Sequence, residues 1–224
     1  MTATHHPSDA VLMAYGAGAL GEGLALVVAT HVALCPRCAA EVARLEAVGG
    51  GLLEDIEPAA LDDAALEALL ARLDGPDGEP PARRAAPPPP PVLPGLGIAL
   101  PEPLRGPLAG ADRAWRFVSP GVRQIVLQPP ARPGAPSTRL LRVAAGQKVP
   151  AHGHRGLELT LVLEGGYTDS LGHFGAGDLS ELEADADHQP MADAGVDCIC
   201  LVALDAPVTF TGPLLGSLQR LLRL

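Results

Sequence analysis

The second half of the chain takes its fold from the stretch GQKVPAHGHRGLELTLVLEG, residues 146–165. His152 and His154 are two residues apart, so on a β-strand both side chains point to the same side of the sheet. Glu158 follows after a short turn and adds a carboxylate in the same region. Imidazole and carboxylate groups that converge in this way are typical ligands of a divalent transition metal. The stretch therefore predicts a metal site built on strands.

The spacing Gly-x5-His-x-His-x3-Glu-x6-Gly matches the first motif of cupin barrels at every position, so the chain resembles the cupin family. The second cupin motif contributes one more histidine. Counted from Gly177, it reaches His188, although its turn residues have diverged. His173 is the competing residue, and we favour His188 because its spacing fits the barrel. The predicted ligands, which suit Zn²⁺, Fe²⁺, Mn²⁺ or Ni²⁺, are His152, His154, Glu158 and His188.

Short apolar runs surround this stretch, and clusters of Gly, Pro and Asp separate them. Many short strands with frequent turn signals are typical of an all-β barrel or sandwich. Together with the cupin resemblance, they predict a double-stranded β-helix barrel. The predicted strands are residues 122–127, 138–143, 159–163, 167–170, 198–204 and 208–210.

The first third of the chain has helical periodicity instead. Ser8 is a good N-cap for a first helix. Pro36 fits the first turn of a third helix, where its missing N–H costs nothing, and Gly49 and Gly50 are expected to end that helix. The second and fourth predicted helices cover about residues 20–34 and 61–73.

Prolines and glycines dominate between Gly75 and Pro107. Proline fixes φ and cannot donate a backbone hydrogen bond, so we expect neither helix nor central strand there. The segment is predicted to be a stiff linker, with an irregular surface loop as the alternative. The predicted organisation is an α + β two-domain chain, with a small all-α zinc-binding domain in residues 1–75, the linker in residues 76–107 and an all-β cupin barrel in residues 108–224.

A second candidate metal site has the pattern H-x3-C-x2-C, formed by His31, Cys35 and Cys38. Residues four apart share a helix face, and two thiolates three residues apart can reach one ion. Structural Zn²⁺ takes four N or S ligands, so His5 or His6 is the obvious fourth. A small domain with few aromatic residues gains folding free energy from such a zinc. The alternative is two buried cysteines beside a core histidine.

The chain carries a formal net charge of −10, which argues against direct binding to DNA, RNA or an anionic membrane. Residues 1–85 hold thirteen acidic and five basic residues, a net charge of −8, which suits a basic protein partner. The N-terminus lacks the features of a signal peptide, so we expect a cytoplasmic protein. In that reducing compartment the four cysteines are better explained as ligands or buried thiols than as disulfides.

Over nearly its whole length the chain resembles the ChrR group of zinc-binding anti-sigma factors. Besides the H-x3-C-x2-C pattern, the resemblance is carried by His5-His6 ahead of Ser8-Asp9-Ala10, by Leu26-Val-Val-Ala-Thr-His31, by Ala47-Val-Gly-Gly50 and by Asp197-Cys-Ile-Cys200. It implies a barrel that holds zinc as well. It also implies that the N-terminal zinc ligands are His6, His31, Cys35 and Cys38. The choice of His6 over His5 depends on this resemblance alone.

The resemblance further implies a function. The N-terminal domain would bind and inhibit a group IV (extracytoplasmic-function, ECF) sigma factor, and the barrel would be needed for release under photo-oxidative stress such as singlet oxygen. The chain would then be no enzyme. The alternative is a metal-dependent, dioxygenase-like cupin enzyme with an accessory zinc module, which leaves the N-terminal zinc domain unexplained.

Two smaller features remain open in the sequence. Cys198 and Cys200 face the same side of a predicted strand. They are either small buried residues or, as the alternative, redox-sensing groups or additional metal ligands. An apolar stripe on the fourth predicted helix serves either the core or a partner. Its members are Leu66, Leu69, Leu70 and Leu73.

Overall fold

The computed structural model describes residues 3–62, 64–73, 99–110, 114–131, 135–184 and 186–210. Helices occupy the first part of the chain and strands the second, as predicted. The helices are α1 (Asp9–Gly16), α2 (Glu22–Leu34), α3 (Pro36–Glu54), α4 (Ala65–Leu73) and α5 (Glu102–Gly110). The strands are β1 (Arg116–Ser119), β2 (Val122–Gln128), β3 (Ser137–Val143), β4 (His152–His154), β5 (Glu158–Glu164), β6 (Gly166–Asp169), β7 (Gly172–Gly175), β8 (Leu179–Leu182), β9 (Asp187–His188), β10 (Met191–Ala192), β11 (Cys198–Leu204) and β12 (Val208–Phe210).

The prediction that Gly49 and Gly50 end the third helix is wrong, because α3 continues to Glu54. A glycine ends a helix when it adopts a positive φ. Neither of these glycines does, so the helix passes through them. They lower its stability by about 1 kcal/mol each relative to alanine.

The prediction that the segment from Gly75 to Pro107 contains no helix is wrong, because α5 begins at Glu102. Leu104 and Leu108 lie one helical turn apart and are fully buried, and α5 packs against α2. Burial of this apolar stripe outweighs the poor helix propensity of Pro107, which lies inside the helix. The part of the predicted linker in residues 76–98 lies outside the described residues.

The strands form antiparallel sheets, and the all-β prediction for this half of the chain is confirmed. The largest sheet has six strands in the order β1-β2-β3-β11-β5-β8. Two three-stranded sheets have the orders β10-β6-β7 and β12-β4-β9. Strands β9 and β4 pair through His188 and His152, so the two predicted cupin motifs meet across one strand pair.

The six-stranded sheet is buried on both faces at its centre. On one face Leu159, Leu161 and Leu201 share an apolar cluster with Val28 of α2 and Leu104 of α5. On the other face Val143, Cys200 and Val202 belong to a second cluster, inside the β-structure. This is why all seven residues of β11 are buried and why β11 and β5 have continuous apolar runs.

Two compact units are distinguished by their internal contacts, residues 1–47 with 90–224 and residues 48–89. In the first unit, α2 packs on β3, β5, β11 and α5. The second contains the end of α3 and all of α4. The predicted division at residues 75 and 107 stays a prediction, since most of the linker lies outside the described residues.

Among the described helices, none taken singly is long and apolar enough to cross a membrane. Only α2 and α3 taken together have the length and apolar composition of a membrane span, and the two helices are bent by 117° at their junction.

Candidate metal centres

The first candidate centre brings together His6, His31, Cys35 and Cys38. His31 is on the last turn of α2, Cys35 is the C-cap of that helix, and Cys38 is in the first turn of α3. The sharp bend between the helices turns all three side chains toward His6, which precedes α1. Nδ1 of His6 lies 3.5 Å from Sγ of Cys35 and 3.4 Å from Sγ of Cys38.

These distances fit a zinc ion. Zn–S bonds of about 2.3 Å and Zn–N bonds of about 2.0–2.1 Å in a tetrahedron place nitrogen and sulfur about 3.5 Å apart. His31 is fully buried, and neither of its ring nitrogens has a hydrogen-bond partner among the described residues. Since a buried polar atom normally has a partner, this imidazole is suited to coordination.

Burial also sets the protonation states of this centre. It lowers the pKa of His31 to about 4, and the nearby His6 adds to the shift. The Gly177 backbone opposes the shift but does not reach hydrogen-bonding geometry. Burial and the neighbouring Cys35 raise the pKa of Cys38 to about 12. Without a cation the centre therefore favours a neutral imidazole and a neutral Cys38 thiol, and a bound cation would displace the thiol proton.

His5 does not join this group. Its Nδ1 lies 3.4 Å from Oδ2 of Asp178, and its ring packs against Phe174 with centroids 4.5 Å apart. The N–H groups of Thr4 and His5 both donate to Oδ1 of Asp178, at 2.6 and 2.9 Å. A segment of the β-half therefore holds the backbone just before His6.

The second candidate centre brings together His152, His154, Glu158 and His188, all buried. Strand β4 carries the first two, β5 begins at Glu158, and β9 ends at His188. Nε2 of His188 lies 3.0 Å from Nε2 of His152 and 3.2 Å from Nε2 of His154. Two imidazole nitrogens on one metal lie about 2.9–3.4 Å apart for angles between a right angle and a tetrahedral one, so the spacing fits.

Neighbouring groups fix the orientation of these rings. Nδ1 of His188 donates to Oδ2 of Asp169 at 3.0 Å, and Nδ1 of His152 donates to the Pro150 carbonyl at 2.7 Å. Each contact leaves Nε2 as the lone-pair nitrogen that faces the centre. Sequence reasoning missed Asp169, because nothing in its spacing distinguishes it from other polar strand residues.

The electrostatics of the second centre also suit a cation. Burial, with the other two histidines, lowers the pKa of His154 to about 4, and burial lowers the pKa of His152. Burial raises the pKa of Glu158, although His188 and the hydrogen bond from Thr160 oppose that shift. Nδ1 of His154 lies 3.3 Å from the Glu158 carboxylate but has no hydrogen bond among the described residues.

The competing histidine, His173, lies away from this centre. It is mostly exposed and pairs with Asp193 at 2.7 Å. Cys198 and Cys200 are free and buried, with their Sγ atoms 3.4 Å apart. Both thiols line a cavity of about 740 Å³ inside the β-structure, and three of the four candidate ligands, His152, Glu158 and His188, line it too.

The leucine stripe of α4 is exposed. Leu66, Leu69 and Leu70 are 64%, 53% and 49% exposed, and the side chain of Leu73 lies outside the described residues. Leu52 and Leu53 near the end of α3 are 66% and 67% exposed. Exposed apolar side chains gathered on one segment are typical of a protein-binding surface.

Comparison with known proteins agrees with these features. Residues 108–207 match the family model described as the ChrR cupin-like domain. The anti-sigma-E factor ChrR of Cereibacter sphaeroides is 45% identical over 227 residues, which cover 100% of both chains. A crystal structure of Rhodobacter sphaeroides SigE in complex with the anti-sigma ChrR matches with 44% identity and a TM-score of 0.69, over 92% of this chain and 100% of that one. The chain belongs to the ChrR family of anti-sigma factors.

Proposed function

We propose that this chain binds a group IV (ECF) sigma factor through its N-terminal helical domain and inhibits transcription from the promoters of that factor. The proposal is supported by the relative that is named an anti-sigma-E factor and by the match to ChrR in a complex with SigE. Both relatives are named as regulators, which favours this function over a dioxygenase-like cupin enzyme.

The observation that carries the proposal is the exposed apolar side chains of α4 and the end of α3. Leu66, Leu69 and Leu70 are each about half exposed or more on a helix of nine residues. Such a face is stabilised when a partner covers it. Residues 1–85 carry a net charge of −8, which would speed encounter with the basic DNA-binding surface of a sigma factor.

In this proposal His6, His31, Cys35 and Cys38 hold a structural zinc. Four protein ligands leave no open position for a substrate. The ion would hold the junction of α2 and α3 and the segment before α1 in one arrangement. Its binding free energy would contribute to the folding of the domain.

The barrel would hold a second divalent transition metal, zinc or another, through His152, His154, Glu158 and His188. We propose that this half of the chain is required for the response to oxidative stress such as singlet oxygen. We also propose that the protein is cytoplasmic. The contacts of Asp178 with Thr4 and His5 support a physical link between the N-terminal centre and the β-half of the chain.

An in vitro transcription assay with the cognate sigma factor tests the function. The full chain is expected to inhibit transcription from a promoter that depends on that factor. Leu69→Asp should weaken inhibition at least tenfold, because it places a charge in the apolar interface. Leu171→Asp is the matched control, since Leu171 is 56% exposed on the β-half.

Inhibition by Leu69→Asp equal to that of the unsubstituted chain would exclude the α4 surface. If the unsubstituted chain inhibited none of the ECF sigma factors encoded beside it, the proposed function itself would be excluded.

A further inference from the structure

A basic side chain, Arg139, lines the cavity inside the β-structure. Ser137, Arg139, Leu141 and Val143 alternate along β3 and line this cavity, while Leu140 belongs to the cluster on the opposite face. The guanidinium therefore points to the interior of the β-structure.

The hydrogen-bond partners of Arg139 among the described residues are neutral. Its Nη1 donates to Oε1 of Gln124 at 3.3 Å, and its Nη2 donates to Oγ of Ser137 at 2.6 Å. Nε is buried and has no partner, and no carboxylate of the described residues pairs with the guanidinium. Burial lowers the pKa of Arg139, and Glu158 opposes that shift.

The buried Nε–H of Arg139, which has no hydrogen-bond partner among the described residues, is energetically unfavourable. Glu158 is near enough to attract the charge, but a buried donor of a charged group that has no hydrogen-bond partner still loses the solvation it would have in water. Neutral partners position the group but do not neutralise it. Its planar fork matches the two oxygens of a carboxylate, with which it forms two parallel charge-assisted hydrogen bonds. An anionic group in the cavity would therefore remove the cost.

The remaining walls limit what else the ligand contains. The volume of about 740 Å³ is that of a site for a small molecule. Apart from Arg139 and the metal-ligand group, much of the lining is aliphatic, from residues such as Val122, Leu141, Val149, Val202 and Leu204. A sugar or a nucleotide would leave many polar groups unpaired against these side chains.

We propose that this cavity binds a small apolar monocarboxylate, whose carboxylate pairs with Arg139 and whose hydrocarbon body packs on the aliphatic walls. One guanidinium suits one negative charge. The site lies beside His152, Glu158 and His188, so its occupant would contact the surroundings of the second metal centre.

Isothermal titration of the purified full-length chain tests the proposal with two probes, octanoate and 1-octanol. They have the same chain length and differ in the charged head. Octanoate is expected to bind at least about tenfold more tightly, because only its carboxylate forms charge-assisted hydrogen bonds. Equal affinity for the two probes, or no binding of octanoate, would overturn the proposal.

Substitution then assigns the charge to Arg139. Arg139→Met, which keeps the length of the side chain, should weaken octanoate binding about tenfold and leave 1-octanol binding unchanged. Arg123→Met is the matched control, because Arg123 is exposed on the neighbouring strand β2. Loss of octanoate binding in both variants, or in neither, would contradict the assignment.

A second variant covers the case in which Arg139→Met does not fold. Arg139→Lys keeps the positive charge but removes the planar fork. It should retain octanoate binding with reduced affinity and a smaller rise in Tm on adding octanoate. A rise in Tm equal to that of the unsubstituted chain would count against bidentate pairing.

Discussion

The carboxylate of Asp178 accepts a hydrogen bond of 2.9 Å from the backbone N–H of His5, although 173 residues separate the two. The N–H of Thr4 donates to the same oxygen at 2.6 Å, and the N–H of Leu179 donates back to the His5 carbonyl at 3.2 Å. The segment that presents His6 to the cysteines is thus held by the start of β8. Its geometry depends on the β-half being folded.

We expect Asp178→Ala to lower the affinity of the N-terminal centre for zinc about tenfold or more, as loss of groups that orient metal ligands does. Without the carboxylate, the backbone of Thr4 and His5 loses its anchor and His6 becomes less well positioned. Competition with a chromophoric chelator measures the change. Asp193→Ala, which removes only the partner of exposed His173, is the control and should retain normal affinity.

Zinc uptake at the N-terminal centre should release at least one proton per ion at pH 7. Both cysteines must bind as thiolates, and the pKa of Cys38 is raised to about 12, so that thiol is protonated before binding. The pKa of His31, lowered to about 4, makes that imidazole neutral at this pH, so it releases none. Apparent affinity should therefore rise with pH around neutrality.

Calorimetry in buffers of different ionisation enthalpy counts these protons. Cys38→Ser should reduce the count, whereas Cys198→Ser should not change it, because Cys198 lies on β11. A count of zero for the unsubstituted chain would show that the cysteines do not ligate the ion.

Asp169→Asn should reduce metal retention at the second centre by about 10–100-fold, the usual effect of losing a carboxylate that orients a ligand histidine. The neutral amide oxygen accepts a weaker hydrogen bond than the carboxylate does, so it stabilises less well the tautomer in which Nε2 of His188 faces the centre. Elemental analysis after dialysis against a chelator measures the loss. Asp187→Asn on β9 is the control, since Asp187 is exposed. Equal loss in both variants would contradict the role of Asp169.

Gly23→Ala should destabilise the chain by about 1–3 kcal/mol through overpacking. A Cβ at this position of α2 would collide with Oγ1 of Thr138 and lie 3.5 Å from Cβ of Ala203. Gly49→Ala is the control, because its Cβ would meet nothing within 4 Å, and it should stabilise α3 by up to about 1 kcal/mol. Thermal unfolding of both variants checks the opposite signs.

Several features of this protein were determined by local sequence alone. The spacing of His31, Cys35 and Cys38 places three side chains around one helix junction, because helix geometry relates residues three and four apart. The alternation of His152 and His154 places both on one side of a strand, because successive side chains point to opposite faces. These relations depend on backbone geometry within a few residues, so they are visible without the fold.

Tertiary structure alone decided the rest. The residues do not distinguish His5 from His6, and the contact of His5 with Asp178 separates them only in the folded chain. The contact of Asp169 with His188 and the position of Arg139 in the cavity depend on which strands pair and which face turns inward. Helix α5 forms because α2 covers its leucines, against its own proline content. Each of these contacts joins residues far apart in sequence, and local spacing contains no information about such partners.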